Sequence, residues 1–183
     1  QKGAVVMTLT TQGDAPIHYT LDGSEPTAAS PRYTGPVEIG KSARFRATAL
    51  REGGENASYS REFAFSKSTG RPAVLNTKPN DSYTFEGASL LVDGYHSRPV
   101  FTSGAWLGYL DEPLDVTIDM GGEQSYRSVE LETLAEKGDW IFPPSSVTVW
   151  VSDNGTDFTE VASVTVPEAK AGDADGIGRY RMQ

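Results

Sequence analysis

Cysteine is absent from the 183-residue chain, which removes disulfides, thiolate metal sites, iron–sulfur ligation and cysteine nucleophiles together. Histidine is almost as scarce. His18 and His96 are the whole supply of two, too few for a three-histidine metal centre and poor material for a Ser-His-Asp triad. No apolar run approaches the roughly 20 residues that a membrane-spanning helix needs, so no membrane insertion is expected. Positive charge is in deficit as well, with 16 Lys+Arg against 25 Asp+Glu and a net charge of −9. A phosphate-binding surface gains affinity by releasing counterions to basic side chains, and this balance disfavours nucleic acid and anionic lipid as partners. Little remains from which to build an active site, and the chain is not expected to be an enzyme in its own right.

What is abundant is chain punctuation. Nineteen Gly and 11 Pro are scattered at short intervals, which favours short strands over long helices. Apolar residues alternate with period two at Ile17, Tyr19, Leu21; at Phe45, Ala47, Ala49; at Val116, Ile118, Met120; and at Val147, Val149, Val151. Each set reads as a half-buried strand. Residues 128–137 imitate a short helix, but Val129 and Leu131 are read as strand. The expected class is all-β. Residues 1–70 hold eight Lys+Arg and seven Asp+Glu, whereas residues 71–183 hold eight and 18, so a boundary is expected between them. The polar stretch 67–71, ending near Gly70 and Pro72, reads as a linker joining a domain at 1–66 to one at 72–183. The chain begins at Gln1 with no basic-then-apolar leader, which reads as a processed chain or a fragment.

In the first domain, residues 17–27 read Ile-His-Tyr-Thr-Leu-Asp-Gly-Ser-Glu-Pro-Thr, a strand entering an Asp-Gly turn that Pro26 closes. Asp22 and Glu25 are two acids on one turn. They cannot flank a sugar ring from opposite sides as a glycosidase pair must. Together with the segments at 30–39 and 45–50, this string resembles the small immunoglobulin-like module found C-terminal to the catalytic barrel of bacterial chitobiases and β-N-acetylhexosaminidases. The resemblance implies a small Ig/fibronectin-like β-sandwich with no chemistry of its own, attached to the catalytic domain of a secreted, periplasmic or outer-surface parent enzyme.

The second domain carries Leu91-Val92-Asp93-Gly94, then Val116-Thr117-Ile118-Asp119-Met120-Gly121, then Val149-Trp150-Val151-Ser152-Asp153-Asn154-Gly155-Thr156-Asp157-Phe158. These strings, in this order, resemble the discoidin, or coagulation factor 5/8 type C, domain. The resemblance implies a discoidin-like jelly-roll β-sandwich that binds carbohydrate, here expected to lack the family's last strand. It also implies a structural Ca²⁺ near the Asp93 loop, with Asp93 and the Ser97 hydroxyl as side-chain ligands. Sugar recognition uses an aromatic face for C–H surface and polar groups for hydroxyls. The expected ligand is a glycan of the N-acetylglucosamine or galactose type. The loop residues of that composition are Tyr95, His96, Arg98, Trp106, Tyr109, Asp139, Trp140 and Phe142. Trp106 and Trp140 neighbour Gly or Asp rather than lying inside alternating strands. Their competing role is to wedge shut the ends of a sandwich, and a ligand-free spacer or protein-interaction module is the competing function. Asp111-Glu112 lies in a turn before a strand and is not read as a catalytic pair. Asp173-Ala174-Asp175-Gly176 lacks the third acid and the distant Glu of a calcium loop and is read as solvated.

Overall fold

The computed structural model describes residues 4–170 and 172–183. It is all-β, as expected. Its strands pair antiparallel throughout, and its short helical turns are all of the 3₁₀ type. Contacts divide the chain into two compact units, one of residues 1–76, 86–96 and 115–118, the other of residues 77–85, 97–114 and 119–183.

The first unit opens with β1 (Val5–Met7), β2 (Ile17–Thr20), β3 (Val37–Ile39), β4 (Ala43–Ala49) and β5 (Ala57–Phe63). Strands β1 and β3 form one sheet and β2-β4-β5 another. Met7 and Ile39 from the first sheet meet Phe45, Ala47 and Phe63 from the second in one buried cluster. The period-two pattern of β4 produces this core, because Phe45, Ala47 and Ala49 share a face and all three are buried. The Asp-Gly turn after β2 is structural. Asp22 Oδ1 accepts from Ser24 N at 2.9 Å and from Ser24 Oγ at 2.6 Å, which holds its carboxyl below the ordinary carboxylate range. Glu25 pairs with Arg46 and accepts from Thr48 Oγ1 at 3.3 Å. His18 is buried, with Nδ1–H donating to Ser30 O at 2.7 Å.

Strands β6 (Ala73–Leu75) and β7 (Val116–Ile118) pair within this unit. Residues 67–71, read from composition as a linker, lie in a hydrogen-bonded turn. Ser66 N donates to Thr69 Oγ1 at 2.9 Å, Gly70 N to Val92 O at 2.7 Å, and Thr69 is buried. A charge count marks where sequence composition changes, whereas contact depends on pairing. The Asp93 loop therefore groups with the first unit, Ala64 N donating to Gly94 O at 2.8 Å. Gly94 is needed there twice over. Its φ is 71°, and a Cβ would lie 2.5 Å from the Phe65 ring and 2.8 Å from Thr69 Cγ2.

The second unit contains β8 (Val129–Ala135), β9 (Ser146–Val151), β10 (Thr159–Thr165) and β11 (Gly176–Met182), paired β8 with β11 and β9 with β10. Val129 and Leu131 lie in strand β8 rather than in a helix, in line with the sequence reading, and the strand ends at Ala135. Arg179 Nε reaches Glu132 Oε1 across the β8–β11 pair at 2.7 Å. The β9–β10 hairpin turns where Asn154 Oδ1 accepts from Thr156 N and Asp157 N, both at 2.9 Å, with Gly155 at φ 75°. Leu134 and Met182 are among the buried apolar side chains of this unit.

Candidate functional site

The ten residues singled out by sequence divide between the two units. Asp93, Tyr95 and His96 belong to the first, and Ser97, Arg98, Trp106, Tyr109, Asp139, Trp140 and Phe142 to the second. In the first unit, Tyr95 bridges to Phe63. The Arg61 guanidinium carbon sits 3.6 Å above the centre of its ring, an arrangement that occupies that aromatic face through cation–π attraction. His96 is half-buried beside it. Asp93 caps its own turn, Oδ1 accepting from Tyr95 N at 2.8 Å. Burial pushes the Asp93 carboxyl above its ordinary value, against the opposing pull of that amide and of the Arg61 charge.

Calcium takes about six to eight oxygen ligands. The Asp93 loop offers one carboxylate, and its neighbouring carbonyls, Val92 O and Gly94 O, already accept from Gly70 N and Ala64 N. Ser97 donates its hydroxyl to Ala105 O at 3.1 Å within the second unit. Among the described residues no group of three or more His, Cys, Asp or Glu is placed to hold a metal ion. These donors fit a turn cap and do not fit a calcium shell. Asp93→Asn keeps the cap, because the amide oxygen still accepts. A folded-state pKa above the unfolded one means the native protein holds its proton to higher pH. The stability linked to that proton is present at low pH and is lost as pH rises through the raised value. The Asn variant is therefore expected to gain thermal stability relative to the parent as pH rises from the ordinary aspartate range through the raised value, with calcium changing neither melting temperature. A calcium-induced rise in the parent that the variant lacks would contradict the cap assignment.

In the second unit, the 97–106 loop closes on itself. Trp106 Nε1–H donates to Arg98 O at 2.9 Å, the Ser97–Ala105 bond lies alongside, and Gly104 reverses the chain at φ 79°. The Trp106 ring is half-buried with its one polar atom engaged, and Tyr109 is also half-buried. Arg98 is exposed. No ring contact joins Trp106 to Trp140 among the described residues. Of the eight expected sugar contacts, only Trp140 and Phe142 make a ring contact with each other among the described residues.

The hairpin 136–141 is different. Glu136 and Ile141 form a closed bridge, N–H to O at 2.9 and 3.1 Å in the two directions. Between them Lys137–Asp139 makes one 3₁₀ turn, and Trp140 reverses the chain with φ 61°. A left-handed conformation costs a non-glycine residue about 1–2 kcal/mol and persists only where the surroundings impose it. Here Asp175 Oδ1 accepts from Lys137 N at 3.1 Å and also binds Lys137 Nζ, which holds the Asp175 carboxyl below its ordinary range. The result is a fixed aromatic tip. Trp140 is 84% exposed and Phe142 54% exposed, their rings edge to face with centres 6.4 Å apart. Asp139 is exposed on the same turn.

Lys137 and Asp175 are supports of this turn that sequence reading missed, since 38 residues separate them. Because the folded pKa of Asp175 is depressed, its contribution is present at neutral pH and lost as pH falls through that lowered value. Asp175→Asn is expected to lower amide-exchange protection at Lys137 and Trp140 several-fold at pH 7, with parent and variant converging once the parent carboxyl is protonated. Equal protection at neutral pH would show that Asp175 does not hold the turn. A further exposed aromatic, Trp150, faces out from β9 opposite Glu160. Its place between Val149 and Val151 in the alternation was the available signal.

Residues 1–61 match the family model described as the chitobiase/beta-hexosaminidase C-terminal domain. That module is an accessory one rather than a catalytic one. A search of the curated proteins finds no match to the chain. No helix among the described residues is long and apolar enough to cross a membrane.

Proposed function

We propose that the chain is a non-catalytic accessory region of a secreted bacterial β-N-acetylhexosaminidase-type glycoside hydrolase, and that its second part is a discoidin-like module that binds glycan through the 136–141 hairpin. The observation that carries the glycan reading is the exposed Trp140, held in left-handed backbone at a bridged hairpin tip beside Phe142. Backbone strain at an exposed aromatic is retained where the residue is used, and glycine there would be less strained. A flat ring takes up the apolar face of a pyranose, while Asp139 on the same turn supplies a hydroxyl acceptor. Binding of this kind raises the local substrate concentration for a tethered catalytic domain.

Asp22 and Glu25, two acids that could have implied chemistry, hold turn and strand contacts. Screening the chain on a glycan array tests the reading. Reproducible binding lost in Trp140→Ala supports it, and silence across N-acetylglucosamine- and galactose-type sugars favours a ligand-free spacer.

A further inference from the structure

A groove of about 410 Å³ opens on the first unit, its lining including Tyr19, Leu21, Arg32, Thr34, Pro36 and Glu38. Its size falls in the range of small-ligand sites, about 300–1,000 Å³. The walls are fixed by the fold. Tyr19 stacks on fully buried Phe45, ring centres 5.8 Å apart and planes 17° from parallel. The segment bearing Arg32 is tied along β2 by Tyr19 N to Pro31 O at 3.0 Å and Tyr33 N to Ile17 O at 2.8 Å. Apolar surface comes from Tyr19, from the exposed Leu21 and from Pro36, and polar groups from Arg32, Thr34 and Glu38. Arg32 and Glu38 are exposed, and among the described residues neither side chain makes a hydrogen bond or ion pair. One guanidinium and one carboxylate leave the groove without net charge, so electrostatic complementarity favours a neutral ligand.

We propose that this groove is a saccharide subsite for a neutral disaccharide, whose C–H face lies on Tyr19 and Leu21 while Arg32 donates to, and Glu38 accepts from, its hydroxyls. The proposal rests on the glycan-binding reading above and adds to it a site on the other unit. An open groove making a few such contacts binds in the millimolar range.

The test is a titration of the full chain with N,N′-diacetylchitobiose, lactose and maltose, each to about 10 mM, a level set by that affinity, with backbone amide resonances followed residue by residue. Saturable shifts at Arg32, Thr34 and Glu38 are expected for at least one sugar. Arg32→Ala and Glu38→Gln should each weaken that binding about tenfold, the usual effect of losing a charge-assisted hydrogen bond. The melting temperature should not move, because neither side chain has a partner in the fold. Shifts confined to residues 138–142 would overturn the groove and leave the hairpin reading standing. Shifts confined to the groove would support the subsite and count against the hairpin. Groove shifts that survive both variants would overturn the assignment, and silence at both places would overturn both sites.

Discussion

Phe45→Ala is expected to lower the stability of the first unit by about 3–5 kcal/mol, the range for truncating a buried phenylalanine. The side chain is 0% exposed, lies between Tyr19 at 5.8 Å and Tyr59 at 6.5 Å, and belongs to the cluster in which the β1-β3 and β2-β4-β5 sheets meet. Its removal forfeits ring burial and leaves a cavity that β4, paired on both sides, cannot collapse to fill. Against a typical domain stability of about 5–15 kcal/mol, most of the margin goes. At about 4–8 °C per kcal/mol for a domain of this size, the melting transition should fall by more than about 10 °C. Val6→Ala is the control. Val6 is 60% exposed, and its truncation should stay within about 0.5 kcal/mol. A Phe45→Ala transition displaced no further than that of the control would place the core elsewhere.

The second large effect concerns ligand rather than stability. Trp140→Ala is expected to weaken glycan binding by about five- to thirtyfold. Covering one face of an indole removes apolar area worth about 1–2 kcal/mol at roughly 25 cal/mol/Å², which by itself is about a five- to thirtyfold change in Kd. Stability should barely change, since the side chain is 84% exposed and the bridge from Glu136 to Ile141 is made by backbone atoms. Trp106→Ala should behave in the opposite way. It removes the indole bond to Arg98 O and loosens the 97–106 loop with little effect on affinity. Equal loss of binding in both variants, measured by calorimetric titration, would return Trp106 to the site.

Those two residues also show what was legible in the sequence. The parity of β4 places Phe45 inside, because Phe45, Ala47 and Ala49 recur every second residue and strands direct such residues to one face. The same rule locates β2, β7 and β9 and puts Trp150 outside. Trp140 was legible for a different reason, as an aromatic in a Gly-Asp turn. What escaped sequence reading depends on distant partners. Nothing near Tyr95 announces that Arg61 covers its ring, and nothing near Asp175 announces Lys137. The Asp93 loop looked like part of the second domain because it follows the charge boundary. Its grouping with the first unit follows from two backbone bonds, Ala64 N to Gly94 O and Gly70 N to Val92 O, that no periodicity encodes.

The claim that this is a glycan-binding accessory region with its contact at the hairpin tip is tested most directly by one titration. The chain is titrated with N-acetylglucosamine and with galactose while the indole Nε1–H resonances are followed. A saturable shift at Trp140 with a millimolar Kd is predicted, with the Trp106 signal, held by Arg98 O, staying in place. No shift at Trp140 with either sugar, or a shift at Trp106 alone, would contradict the account.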